Sequence, residues 1–138
     1  MIEKRRVVIT GVGMLTPMGI GVEASWKAAL DGKSGIGRIT QFDISEFPVQ
    51  IAGEVKGFDP APYVEAKEIK KMDRFIQFAM AAATMAVEDS GLNITEENAE
   101  RVGVTIGAGM GGLPAIEHWH KVYLEKGHRR ITPFFIPM

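Results

Sequence analysis

The sequence predicts an α/β fold, and three observations carry that expectation. Two short apolar runs, Arg6–Thr10 and Val102–Ile106, each lead into glycine-rich turns. A long segment, Ile69–Ser90, has apolar residues at three- and four-residue steps and further Ala and Met on its other faces. Strand-like and helix-like segments alternate along the chain, the pattern of a mostly parallel sheet covered by helices.

Arg6–Thr10 reads as a buried strand entering a tight turn at Gly11-Val12-Gly13. Thr16-Pro17-Met18-Gly19 reads as a second turn. Val22–Leu30 holds good helix formers and Asp31-Gly32 ends it. Residues 32–54, punctuated by Gly, Ser, Asp and Pro, are expected to be loop with short strands, one of them within Val49–Val55. Asp59-Pro60-Ala61-Pro62 is a break. A single helix is expected over Ile69–Ser90. An almost uniformly apolar helix belongs inside a protein, and its alanines point to close approach by neighbours. Gly91 stops it. Thr95 is a candidate cap of a short acidic turn. Val102–Ile106 is the second expected strand. A third helix follows Gly107–Gly112, with Pro114 in its first turn and Gly127 at its end. The segment Ile131–Met138 is apolar, aromatic and bracketed by prolines, unlike a frayed polar tail.

Two strands are too few for a parallel sheet, which needs both faces covered. The long apolar helix also needs partners. The chain is therefore expected to be the opening piece of a larger enzyme.

Composition narrows the function. A formal net charge of −1 supplies no overall attraction to nucleic acid or membrane. No apolar run reaches the roughly 18 residues of a membrane span. The basic start Met1–Arg6 leads directly into a short apolar run and glycines, not into a leader sequence, so a cytoplasmic protein is expected. The chain has no cysteine, which excludes thiol nucleophiles and thiolate metal sites within it.

Gly107-Ala108-Gly109-Met110-Gly111-Gly112 matches G-x-G-x-x-G between an expected strand and helix. It reads either as a nucleotide-binding loop or as a tight turn packed on a neighbour. Glu125, near the spacing of a ribose-binding acid, falls inside the expected helix, and Leu113-Pro114 stand where a P-loop needs Lys and Ser/Thr. Gly11-Val12-Gly13 has Thr16 at the third glycine position and reads as structural. His118 and His120 point in different directions on a helix, and His128 sits beside Arg129 and Arg130, so no metal site is expected. Two basic groups stand out: Lys67, Lys70, Lys71 and Arg74, and then Lys121, Lys126, Arg129 and Arg130 against the single acid Glu125. Each reads as a solvated face or as a docking patch for an acidic protein or a phosphate-bearing ligand.

Taken together, several strings resemble the β-ketoacyl-acyl-carrier-protein synthases. They are Arg5–Gly13 with Thr16–Gly19, Trp26…Leu30 with Gly32–Ile36, Lys70–Ala79, Asp89–Leu92, Arg101–Val104, the 107–113 loop and Pro133-Phe134-Phe135. The Met72–Phe75 and Pro133–Phe135 versions look most like the elongating synthase II type. The resemblance spans essentially the whole chain, 1–138. It implies a thiolase-like αβαβα layered fold, of which this is the N-terminal part of the first half only. It implies an acyltransferase that elongates fatty acyl chains by decarboxylative condensation with malonyl-acyl-carrier protein, usually as a homodimer. No cofactor is implied. The family's catalytic cysteine and histidines have no counterparts here, so no catalytic residue is expected in this stretch. The resemblance assigns Met110 to the acyl pocket. It places Phe135 near the dimer interface, reaching the partner's pocket. It assigns Lys67, Lys70, Lys71, Arg129 and Arg130 to docking of the acidic carrier protein. A non-catalytic synthase-like docking subunit and a nucleotide-binding module using Gly107–Gly112 are the alternative readings.

Overall fold

A computed structural model describes residues 4–138. Met1–Glu3, part of the basic start read against a leader sequence, lie outside the described residues. The element order is β1 (Leu15–Thr16), β2 (Gly19–Ile20), α1 (Val22–Leu30), β3 (Ile36–Arg38), β4 (Ile51–Gly53), α2 (Ala66–Ile69), α3 (Arg74–Ser90) and α4 (Leu113–Lys126). Short 3₁₀ turns cover Ala99–Arg101, His128–Arg130 and Pro133–Phe135. No helix among the described residues is long and apolar enough to cross a membrane.

The chain divides into two compact units. The first comprises the described part of Met1–Phe58 together with Ala82–Asn93. Its β1 and β2 pair antiparallel around the expected Pro17-Met18 turn. The Thr16 hydroxyl organises that turn by accepting from the Met18 and Gly19 amides, at 3.1 and 3.2 Å. Ser25, on α1 and 2% exposed, donates to the Gly19 carbonyl at 2.9 Å and meets the Thr16 hydroxyl at 3.0 Å. A buried hydroxyl thus docks the helix on the hairpin instead of standing unsatisfied. α1 has the expected bounds, and Gly32, at φ 66°, turns the chain after it by donating to Ala29. β3 and β4 pair antiparallel, Ile36 opposite Gly53, with β4 inside the expected Val49–Val55. Glu54 extends this ribbon: its carboxylate accepts from the Thr40 amide and hydroxyl, both at 2.8 Å.

Gly11 and Gly13 lie against α3 with no room for a side chain. A Cβ on Gly13 would fall on the Ala82 carbonyl and 2.9 Å from the Ala86 amide nitrogen. One on Gly11 would lie 2.6 Å from the Ser90 amide nitrogen. Ala82, Ala86 and Ser90 repeat every four residues and form one small-residue face of the helix. Asp89 secures the contact by accepting from the Val12 amide at 2.8 Å. The close approach expected of the alanines, and the structural reading of Gly11–Gly13, are both observed.

The second unit is Asp59–Ala81 with Ile94–Met138. Its first feature corrects an expectation. Ile69–Ser90 is not one helix, because the chain breaks between α2 and α3. Asp73 makes the break. Its carbonyl accepts from the Ile76 and Gln77 amides and its carboxylate from the Arg74 amide, so it caps α3. Gln77, 9% exposed, reaches back and donates to the Ile69 and Met72 carbonyls at 3.3 and 3.0 Å, tying the start of α3 to the end of α2. Hydrophobic spacing continued through the break and hid it. Val64 and Ala81 are the buried apolar residues near these two helices in sequence.

The two expected strands are a second correction. Neither Arg6–Thr10 nor Val102–Ile106 joins a sheet among the described residues, where both sheets are two-stranded and antiparallel, not parallel. Apolar runs report a preference for burial, whereas a strand also needs a backbone partner. Val7, Ile9 and Val104 accordingly stay largely exposed, at 91, 86 and 77%.

Candidate functional site

The glycine loop and the elements around it form the candidate site, all within the second unit. α4 starts at Leu113 with Pro114 in its first turn and ends at Gly127, φ 76°, as expected. Its N-cap is Gly112, in the left-handed region at φ 73°, which has no side chain to cap with. The missing acceptor comes from Asp73, whose second carboxylate oxygen accepts from the Ala115 amide at 3.1 Å. Asp73 therefore caps two helices at once. The α4 N-terminus, where a nucleotide phosphate would seat, already holds an intramolecular anion.

The loop's glycines do different work. A Cβ on Gly111 would lie 2.8 Å from the Phe75 ring, so that ring packs directly on the backbone. At Gly107 and Gly109 a Cβ would meet nothing within 4 Å among the described residues, and Met110 between Gly109 and Gly111 is exposed.

The tail returns to this loop. Thr132 caps the Pro133–Phe135 turn by accepting from the Phe134 amide, and Met138 donates to the Phe134 carbonyl at 3.1 Å. The Met138 carbonyl lies beside Gly112, 3.4 Å from where its Cβ would stand. The segments carrying Met110 and Phe135 are thereby brought to one region. Phe135 is half-buried.

The basic candidates differ in setting. Lys67, exposed on α2, pairs with Glu65 at 2.7 Å. Lys70 is exposed at the C-terminus of α2. Lys71 is half-buried, pairs with Glu68 at 2.7 Å and stands 5.1 Å from the centre of the Phe134 ring. It ties the α2–α3 turn to the tail, a contact that charge counting does not show. Arg129 and Arg130 are exposed on their 3₁₀ turn. Arg130 also borders an open groove with His118, Trp119, Val122 and Lys126. His118 packs edge-on against Trp119, with ring centres 4.9 Å apart. No group of three or more His, Cys, Asp or Glu among the described residues could hold a metal ion. Asp73 is the residue that sequence reasoning overlooked. Its signal was an Asp immediately before a helix-forming run, a strong N-cap preference.

The β-ketoacyl synthase N-terminal domain family matches residues 4–138, and the chain belongs to that family. It is 55% identical over 135 residues to the 3-oxoacyl-acyl-carrier-protein synthase 2 of Vibrio cholerae, covering 98% of this chain and 33% of that protein. The Coxiella burnetii protein of the same name is 57% identical, with the same coverage. That of Staphylococcus aureus is 46% identical over the full 138 residues, covering 33% of its length. The chain spans about a third of these relatives. Among solved structures, the ishigamide ketosynthase/chain length factor superposes with a TM-score of 0.78 at 34% identity, covering 97% of this chain and 34% of that one. The fold is thus a partial α/β fold of the thiolase-like ketosynthase class.

Proposed function

We propose that the chain is the N-terminal portion, residues 1–138, of the first domain of a 3-oxoacyl-acyl-carrier-protein synthase II. The observation that carries this reading is the family match over residues 4–138, joined to 46–57% identity with proteins named synthase 2. In that reaction an acyl group passes from carrier protein to an enzyme cysteine as a thioester. Malonyl-carrier protein loses CO₂, and the resulting carbanion attacks the thioester carbon. A carbon–carbon bond forms as the carbon–sulfur bond to the enzyme breaks and releases the thiolate. These 138 residues hold no cysteine. The chain's contribution is a wall of the acyl pocket through Met110 and Phe135, with Phe135 near a homodimer interface. The lack of side-chain bulk at Gly107 and Gly109 supports that reading, since small residues leave room beside an acyl chain. Lys67, Lys70, Lys71, Arg129 and Arg130 serve docking of the acidic carrier protein. The proposal includes a cytoplasmic location.

The full-length protein, given acyl- and malonyl-carrier proteins, is expected to form 3-oxoacyl product and to be silenced by a thiol alkylator. Absence of condensation, or condensation indifferent to alkylation, overturns the assignment. Replacing Lys67, Lys70, Arg129 and Arg130 by Glu is expected to raise KM for carrier-protein substrates, with the difference shrinking as salt rises. An unchanged KM removes the docking role.

A further inference from the structure

We infer that Asp73, with Phe75, is a positioning residue that fixes the Met110 loop and thereby sets which acyl lengths are accepted. The inference rests on the proposed place of Met110 in the acyl pocket. Its basis is a contact set that ties the start of one helix to the start of another. The two oxygens of one carboxylate are shared between the Arg74 amide of α3 and the Ala115 amide of α4. The loop's own N-cap, Gly112, offers no acceptor, so Asp73 supplies the side-chain cap to the α4 start. Two residues along, the Phe75 ring covers Gly111 at a distance that leaves no space for a methyl group. Met110 lies next to that pinned glycine, whereas a Cβ at Gly107 or Gly109 would meet nothing within 4 Å among the described residues. The described contacts therefore hold the loop at its α4 end. Displacing the held end moves Met110, the one large side chain in the Gly107–Gly112 stretch.

Asparagine separates the two caps, because it keeps one oxygen acceptor where aspartate has two. Asp73→Asn is expected to retain the α3 cap and lose the Ala115 bond. Phe75→Leu leaves both caps and uncovers Gly111, and so serves where the first variant folds poorly. In the full-length synthase, each variant is examined by amide hydrogen exchange over residues 107–116 and by kcat/KM across a series of acyl lengths, beside Met110→Trp. Both are expected to speed exchange at Ala115 or Gly111 and to change the ratio of long- to short-acyl kcat/KM by roughly tenfold, within the ~100-fold that a displacement of ~1 Å can cause. Unchanged exchange overturns the clamp. Faster exchange with an unaltered acyl profile, while Met110→Trp alters it, overturns the clamp's control of length and leaves the pocket reading intact. A profile unmoved even by Met110→Trp overturns the pocket reading, and the inference falls with it.

Discussion

Gly11–Gly13 and Gly107–Gly112 look alike as strings, but they do opposite jobs. At the first, α3 backbone and the Ser90 side chain occupy the places where the Gly11 and Gly13 Cβ atoms would stand. At the second, the α4 end is touched by Phe75 and Met138, and a Cβ at Gly107 or Gly109 would meet nothing within 4 Å among the described residues. A glycine that is there for contact cannot be replaced, whereas a glycine that is there for room can be replaced at the cost of that room. The difference separates a packing device from a candidate pocket wall.

The strongest way to break this comparison is Gly13→Ala. A methyl group there must push apart two backbones, and overpacking of this kind costs about 3 kcal/mol or more. A denaturation midpoint equal to the parent protein's would show that the α3 contact is not as close as described. Gly111→Ala is expected to cost less, about 1–2 kcal/mol, because the Phe75 ring can rotate away where a backbone cannot. Equal losses at Gly13 and Gly111 would erase the distinction between backbone and side-chain contact. Gly109→Ala sharpens the other side. It meets nothing within 4 Å and has no positive φ, so stability should change by no more than about 0.5 kcal/mol. A large loss there would mean that the front of the loop is packed. The smallest effect concerns acid. Hydrogen bonds from the Thr40 amide and hydroxyl hold the Glu54 carboxyl below its ordinary 4.5, and those from Ser45 hold Asp43 below 3.8. Lowered folded values stabilise the chain above the ordinary values, and that support is lost as pH falls through the folded ones. Glu54→Gln should therefore lower stability slightly at neutral pH, where the support is fully present, and flatten the acid limb of a stability–pH curve below about pH 4.5, where the parent loses that support. An acid limb that does not change would remove Glu54 from the ribbon's support.

Much of the architecture was legible in the residues. α1 and α4 have the expected extents because their ends carry Gly32, Pro114 and Gly127, residues whose backbone preferences act locally. The Pro17-Met18 turn and a strand within Val49–Val55 followed from equally local chemistry. The break before α3 was legible in principle, but the apolar spacing that runs across it outweighed the single Asp73. The candidate site was legible as a string and not as an object. Charge counting grouped Lys67, Lys70 and Lys71 and did not show that Lys67 pairs with Glu65 or that Lys71 meets Glu68 and Phe134.

The sequence by itself determined the family, the limits of α1 and α4 and the absence of a thiol from these residues, because motif order, capping residues and composition are properties of the chain alone. Only the tertiary structure decided which glycines are touched, which lysine meets an aromatic ring and which carboxylate caps a helix 42 residues away. Those facts depend on what lies opposite in space, and hydrophobic spacing says only that a residue seeks burial. The same limit explains Arg6–Thr10 and Val102–Ile106, whose apolar runs find no ladder partner among the described residues.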